Sequence, residues 1–405
     1  MGGTVLGERP PRRNDIDWLR IAAVLLLIPF HSARVFNWEE DFYVKNDPYW
    51  QPAQRIVDFV GPWHMSFLFL LAGAGTWLAF RHRGPGQYVG ERAKRLLIPF
   101  VFGLFVIVPP QTWLAYRWHG KGDPSYWAYY PDFWTTADEN LNGYQGGFTP
   151  GHLWFILFLF VFSLVALPLF LWLRNRGSGR RVLGGFGRLA QVPGLVLLVP
   201  ALILVLPWLQ ADFDLSGQPT FGFLILIILG FMLLGDERIG KAIDRQWVWL
   251  LGVGLVASIA YIWAEPRAGG WGYDLDNAVY IGVKYLYEIG VWGMILGLLG
   301  LGHRFLTAGG AVLKYATEAA YPFYILHQTV LIGVAYVVCQ WAWAPWAKFT
   351  LIMVASLGLT LGIYEVAVRR WGPVRFLLGM KPRRRAGAPA LPAVPPAPPF
   401  PSSPG

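Results

Sequence analysis

Apolar residues along this chain gather into runs long enough to cross a bilayer, separated by shorter segments that carry most of the charge. Ten such runs can be marked, roughly 16–36, 59–80, 96–117, 152–173, 193–209, 220–235, 247–264, 279–301, 319–343 and 348–368. A hydrocarbon core of about 30 Å takes about 20 residues of helix, so each run predicts a spanning helix; the fifth and sixth are short for the task. The first run breaks its own pattern. From Asp15 to Phe36 it reads DIDWLRIAAVLLLIPFHSARVF, with Asp17, Arg20, His31 and Arg34 set among apolar residues. At 100° per residue these four share an arc of about 100°, opposite Leu19, Ala22, Leu26, Phe30 and Ala33. A satisfied histidine and end charges that snorkel to the interfaces would be the bland account. Four polar groups on one stripe favour a reactive group held in an interior that receives them. His31 lies about 20 Å beyond Asp17, about two-thirds of the way across, and Pro29 two residues earlier predicts a kink.

The composition, 55% hydrophobic and 14% charged, is that of an all-α, polytopic integral membrane bundle. Charge then orients it. If both termini are cytoplasmic, most of the 34 basic residues fall in inner segments, including Arg174, Arg176, Arg180, Arg181 and Arg188. The outer loops collect acids such as Asp41, Asp47, Asp123, Asp132 and Asp138. An even number of spans satisfies the positive-inside rule at every loop. The net charge of +10 therefore reflects topology and anionic lipid, and argues for no nucleic acid. No cleavable leader is expected ahead of the first span, since Arg20 interrupts the candidate segment. The lone Cys339 excludes an internal disulfide and a thiolate metal cluster.

Three units follow: a disordered cytoplasmic lead over 1–14, a transmembrane domain over 15–370, and a basic, then Pro/Ala-rich disordered tail over 371–405. The longest connection, Trp118 to Gly151, holds Tyr126, Trp127, Tyr129, Tyr130, Phe133 and Trp134, too aromatic for a free linker. It reads as an ordered cap or interfacial segment over an opening in the bundle.

Candidate chemistry separates by depth. At the inner surface stand Arg81, Arg83, Arg92 and Arg95, backed by Arg20. Guanidinium forks suit a phosphorylated ligand, although any one of these can be a positive-inside arginine and nothing more. In the outer half lie His31, His64 and His152, with Lys284 and Glu288 at similar depth and one helical turn apart. His327 is expected about a third of the way up the ninth run from the inner side. Histidine takes and returns a proton near neutral pH. No pair of these histidines has metal-ligand spacing on one helix, so no metal is expected.

The opening D-x-D-W-L-R with His31 eleven residues on, RAKRLLIP at 92–99, GHLWFILFLF at 151–160 and YPFYILHQTVL at 321–331 together resemble the membrane-bound acyltransferase 3 family. The last two are most similar to the subgroup containing the glucan succinyltransferases. The resemblance covers roughly residues 14–370. It implies transfer of an acetyl, succinyl or similar group from cytoplasmic acyl-CoA, a co-substrate with no resident cofactor beside it, to a hydroxyl of an extracytoplasmic carbohydrate or glycolipid. It also implies a multi-pass place in a bacterial inner (cytoplasmic) membrane. His31 matches the family's essential histidine, Arg20 its arginine of the first helix, and Arg92 and Arg95 its inner arginine motif. That motif is spaced more widely here than the commoner family form.

On this reading His31 is the general base and Asp17 or Arg20 helps hold the donor chain; an acyl-histidine relay is the alternative chemistry. His64, His152 and Glu288 are candidate substrate-binding residues. The rival function is a transporter or flippase for an anionic solute, which would more often show inverted repeats and paired broken helices. The oligomeric state is left open.

Overall fold

A computed structural model describes residues 13–38, 41–137, 141–175, 177–205, 214–215, 218–268 and 278–381. The expected lead (1–14) and tail (371–405) lie largely outside the described residues. In hydrocarbon every main-chain N–H and C=O must be satisfied within the segment, and the chain answers with helices. The first run forms α1 (Asn14–Leu25) and α2 (Leu27–Arg34), a single span opened at Leu26. The second forms α3 (Gln51–Phe80), and α4 (Pro85–Arg92) follows it along the basic end. A π-helical turn at Ala93–Leu97 joins α4 to α5 (Ile98–Val106) and α6 (Val108–Trp118), while α7 (Tyr126–Thr135) lies in the long connection. Next come α8 (Trp154–Val165), α9 (Leu167–Arg174), α10 (Ser178–Ala190), α11 (Leu195–Val205) and α12 (Thr220–Gly235). The series closes with α13 (Glu237–Ala264), α14 (Ala278–Phe305), α15 (Ala311–Val338), α16 (Pro345–Ile363) and the short α17 (Gly372–Leu377).

The all-α expectation holds; the strand among the described residues is one two-residue pairing, Asp214–Leu215 with Gln218–Pro219. Each of the ten apolar runs carries helix. Among the described residues, seven spans are long and apolar enough to cross a membrane, or eight if the bent pair α8 and α9 counts as one, and α11 and α12 are shorter. The chain is therefore a multi-pass integral membrane protein. Its breaks fall where proline removes a donor and crowds the preceding turn. Leu26 precedes Pro29, Ile107 precedes Pro109 and Pro110, and Ala166 precedes Pro168 at a 50° bend.

Small residues set the closest helix contacts, as they do where lipid removes the hydrophobic drive between helices. A Cβ at Gly73 would collide with the Ile227 carbonyl, and one at Gly230 with the Leu70 carbonyl, so α3 and α12 touch backbone to backbone. Gly254 and Gly293 do the same for α13 and α14.

Two departures from the sequence reading matter. The segment assigned to the tail is folded in its first part: α17 buries Arg375, whose guanidinium donates to Glu318 at 2.9 Å. In addition, α15 starts at Ala311, eight residues before its apolar run. Polar first turns bearing Lys314 and Glu318 extend the helix, so His327 lies past its midpoint, level with His31 rather than a third of the way up.

Candidate active site

The loop after α2 returns over His31 and closes it in. Phe42 stacks on the His31 ring at 6.0 Å and 10°. The Arg34 guanidinium lies 5.3 Å from the Phe42 ring and 5.7 Å from that of Tyr144, and donates to Asp41 O at 2.9 Å. Lys45 Nζ donates to Arg34 O and to both oxygens of Asn37, and the buried Lys348 donates to Asn46 Oδ1 at 2.8 Å. The aromatic connection is ordered beside this loop. Ser125 caps α7, Tyr129 and Phe133 are buried, and Trp134 packs on Phe105 at 4.6 Å.

Beneath this cover three imidazoles meet. The His31 and His327 ring centres are 5.3 Å apart, and His327 meets His152 edge-on at 5.1 Å. His152 stands on the tight turn Gly151–Leu153 that feeds α8. Gly151 adopts φ +52°, and a Cβ there would lie 2.6 Å from Gln111 Nε2, so glycine lets this turn pack closely against α6. His64 belongs to the next layer: Phe30 lies 6.1 Å from it and 5.3 Å from His31.

Main-chain contacts settle which nitrogens carry hydrogen, because a carbonyl oxygen only accepts. Nε2–H of His64 donates to Ala23 O at 2.6 Å, Nε2–H of His152 to Ile325 O at 2.8 Å, and Nδ1–H of His327 to Tyr324 O at 2.6 Å. Each neutral ring keeps a lone pair on its other nitrogen. His31 differs: it is half-buried, while His64, His152 and His327 are 1%, 6% and 0% exposed. Of the four, His31 alone has no described bond to a carbonyl. His31 Nδ1, His152 Nδ1 and His327 Nε2 are buried without a partner. The described residues form no group of three or more ligands able to hold a metal.

The other end of α1 is built differently. Arg13, Ile16, Asp17, Arg20, Gly75, Leu78, Ala79, His82 and Arg83 line a cavity of about 340 Å³. Arg20 pairs with Asp17 at 3.3 Å and Arg83 with Glu91 at 3.1 Å. Arg20 and Asp17 thus sit about 16 and about 21 Å below His31, eleven and fourteen residues of helix away, and belong to the cavity rather than to the imidazoles. Arg92 is outside the lining: it donates to Thr76 Oγ1 at 2.9 Å and lies 5.0 Å from the Tyr88 ring. Arg81 and Arg95 are exposed. Glu288 and Lys284 are buried on α14, with Lys284 Nζ 5.3 Å from the Tyr280 ring. Among the described contacts of the three rings Glu288 does not appear.

Sequence reasoning missed His327 as a member of the group, Phe42 as its cover, and Arg13 and His82 as cavity walls. The signal for His327 was present, since an ionisable residue inside a membrane run marks a site by default. The others carry no local signal.

A group of imidazoles, three buried and one half-buried, stands at the far end of a helix from an arginine-lined opening in a multi-pass membrane protein. Residues 13–365 match the family profile described as an acyltransferase domain, and the chain belongs to that family, acyltransferase 3; it is a membrane acyltransferase. It is 23% identical over 387 residues to the glucans biosynthesis protein C of Salmonella agona, covering 92% of this chain and 96% of that one. The protein of the same name from Salmonella heidelberg is 22% identical over the same length and shares. No solved structure matches this chain.

Proposed function

We propose that this protein is an acyl-CoA-dependent O-acyltransferase that moves an acetyl, succinyl or similar group to a hydroxyl of an extracytoplasmic carbohydrate or glycolipid, with His31 as general base. One observation carries the reading: His31 combines a half-buried ring, no anchoring carbonyl and the roof formed by Phe42, on the span whose other end lines the cationic cavity. The names of the relatives, which concern glucans, support a carbohydrate acceptor.

CoA would place its phosphates against Arg13, Arg20 and Arg83, whose planar forks suit phosphate oxygens. Its pantetheine arm would run between the helices toward His31. There the acceptor oxygen attacks the thioester carbonyl carbon while His31 Nε2 takes the hydroxyl proton. The C–O bond forms, the C–S bond breaks, and the imidazolium returns the proton to the leaving thiolate. His152, whose Nδ1 lone pair is exposed to no other group, can accept a hydrogen bond from the acceptor. This reading supports a bacterial inner membrane, because CoA lies on one side and the acceptor on the other.

The test compares envelope glycans and glycolipids by mass spectrometry in cells with and without the gene. A difference of one acyl group identifies donor group and acceptor together. Unchanged glycans and glycolipids, with purified protein that moves no label from acyl-CoA, would overturn the proposal and favour transport of an anionic solute.

A further inference from the structure

His327 is buried completely inside a membrane helix, yet one of its ring nitrogens has no partner. An unsatisfied buried acceptor costs about 1–3 kcal/mol, which such a site tolerates when the partner arrives in the working state. Its Nδ1–H is spent on Tyr324 O, one turn back on α15, so Nε2 holds a lone pair and needs a donor. Two rings flank it. His152 donates its own hydrogen to Ile325 O, which leaves a lone pair on Nδ1 and nothing to offer His327. His31 remains, and its Nδ1 is also buried without a partner. Rings with centres 5.3 Å apart can turn one nitrogen of each toward the other at about 3 Å.

We infer that His327 is the positioning residue of the base: its Nε2 accepts Nδ1–H of His31, holding His31 in the tautomer whose Nε2 lone pair faces the acceptor hydroxyl. The inference rests on the proposed reaction for its consequence; the structure supplies two unpartnered nitrogens on neighbouring rings, and the bond forms between them when the rings turn to face one another. No proton leaves His31 for His327. The hydroxyl proton arrives at His31 Nε2, the Nδ1–H stays in place, and the His327 lone pair steadies the imidazolium until the thiolate takes the proton back. The arrangement has the logic of a base oriented by a third group, with an imidazole where a carboxylate often stands. A neutral orienter avoids placing a bare carboxylate charge at this depth.

Two substitutions separate positioning from packing. His327→Gln places an amide oxygen near the position of Nε2, so it keeps an acceptor for His31. His327→Asn keeps a group able to donate to Tyr324 O but leaves nothing at Nε2. Positioning predicts a kcat loss on the order of 10–100-fold for Asn, a smaller loss for Gln, and KM for acyl-CoA unchanged in both. The reverse ranking, with Asn the milder, overturns the inference, as does an equal loss in both that follows their melting temperatures.

A second measurement needs no turnover and no variant that might misfold. Solid-state NMR of the 15N-histidine-labelled wild-type protein in lipid bilayers should show His31 carrying hydrogen on Nδ1. Hydrogen on His31 Nε2 overturns the pair. Because the spectrum decides the pair by itself, an inactive wild-type protein that shows the Nδ1–H tautomer would overturn the proposed reaction alone.

Discussion

At one end of the first span, rings pack against rings under a folded loop, and three of four histidines spend a hydrogen on a main-chain carbonyl. At the other end, arginines from the start of α1 and from the turn after α3 line an open cavity, each paired with a carboxylate. The difference is one of solvent. In the dry end a single unpartnered nitrogen is costly, so three of them on neighbouring rings point to function. In the wet end a charge costs little and an exposed ion pair contributes at most about 1 kcal/mol, so the number of arginines says almost nothing. There the informative fact is which arginines line the cavity.

The contrast assumes opposite sides of a membrane, and topology tests it with an all-or-none outcome. A reporter fused after Gly177 should be cytoplasmic and one inserted near Gly143 external, as the arginines from 174 to 188 and the acidic, aromatic loop require. A cytoplasmic signal at Gly143 would place histidines and cavity on sides that the proposed reaction cannot use.

The next effect in size is at the dry end. His31→Gln preserves size and hydrogen bonding but accepts no proton, and should lower the acylation rate on the order of 10²–10⁴-fold. Melting temperature in detergent, measured alongside, should barely move. A folded variant that acylates at near wild-type rate would end the assignment and leave His64 as the next base to try.

At the wet end losses should appear in affinity. Arg20→Ala should weaken acyl-CoA binding by roughly 1–3 kcal/mol, with partial rescue by lysine, which lacks the fork. Arg95→Ala, exposed and outside the cavity, should leave that affinity unchanged when both are measured by calorimetry. Equal losses would mean that general positive charge, not a lined cavity, holds the donor.

The smallest effect belongs to the basic end's scaffold. Asp236 caps α13, accepting from Arg238 N at 2.9 Å and pairing with its guanidinium at 2.7 Å. The Arg238 hydrogen bond holds its carboxyl below the usual carboxylate range. Its stabilisation is therefore present above the unfolded value of about 3.9 and is lost as pH falls through the lower folded value. Asp236→Ala should cost about 1 kcal/mol at neutral pH, read as a lower melting temperature, with activity unchanged.

Much of this protein was legible from its residues because a membrane makes local pattern decisive. Hydrocarbon admits helices and closed barrels, so apolar runs report helices directly, and the breaks follow from Pro29, Pro109, Pro110 and Pro168. The polar stripe of the first span singled out His31 for the same reason: an ionisable group there has few innocent explanations. Depth was less secure. Polar turns extend α15 below its apolar run, which moved His327 to the level of His31.

The tertiary structure alone decided which side chains meet. His31, His152 and His327 come from three distant segments, and their contact depends on Gly151 turning tightly beside Gln111 and on the packing of α15 beneath the loop of Phe42. Only helix packing assigned Arg20 and Arg83 to the cavity, tied Arg92 to Thr76, and left Arg95 outside. Helix formation is governed by residues three and four apart, whereas a ring contact between residues 31 and 327 is set by how whole helices seat against one another.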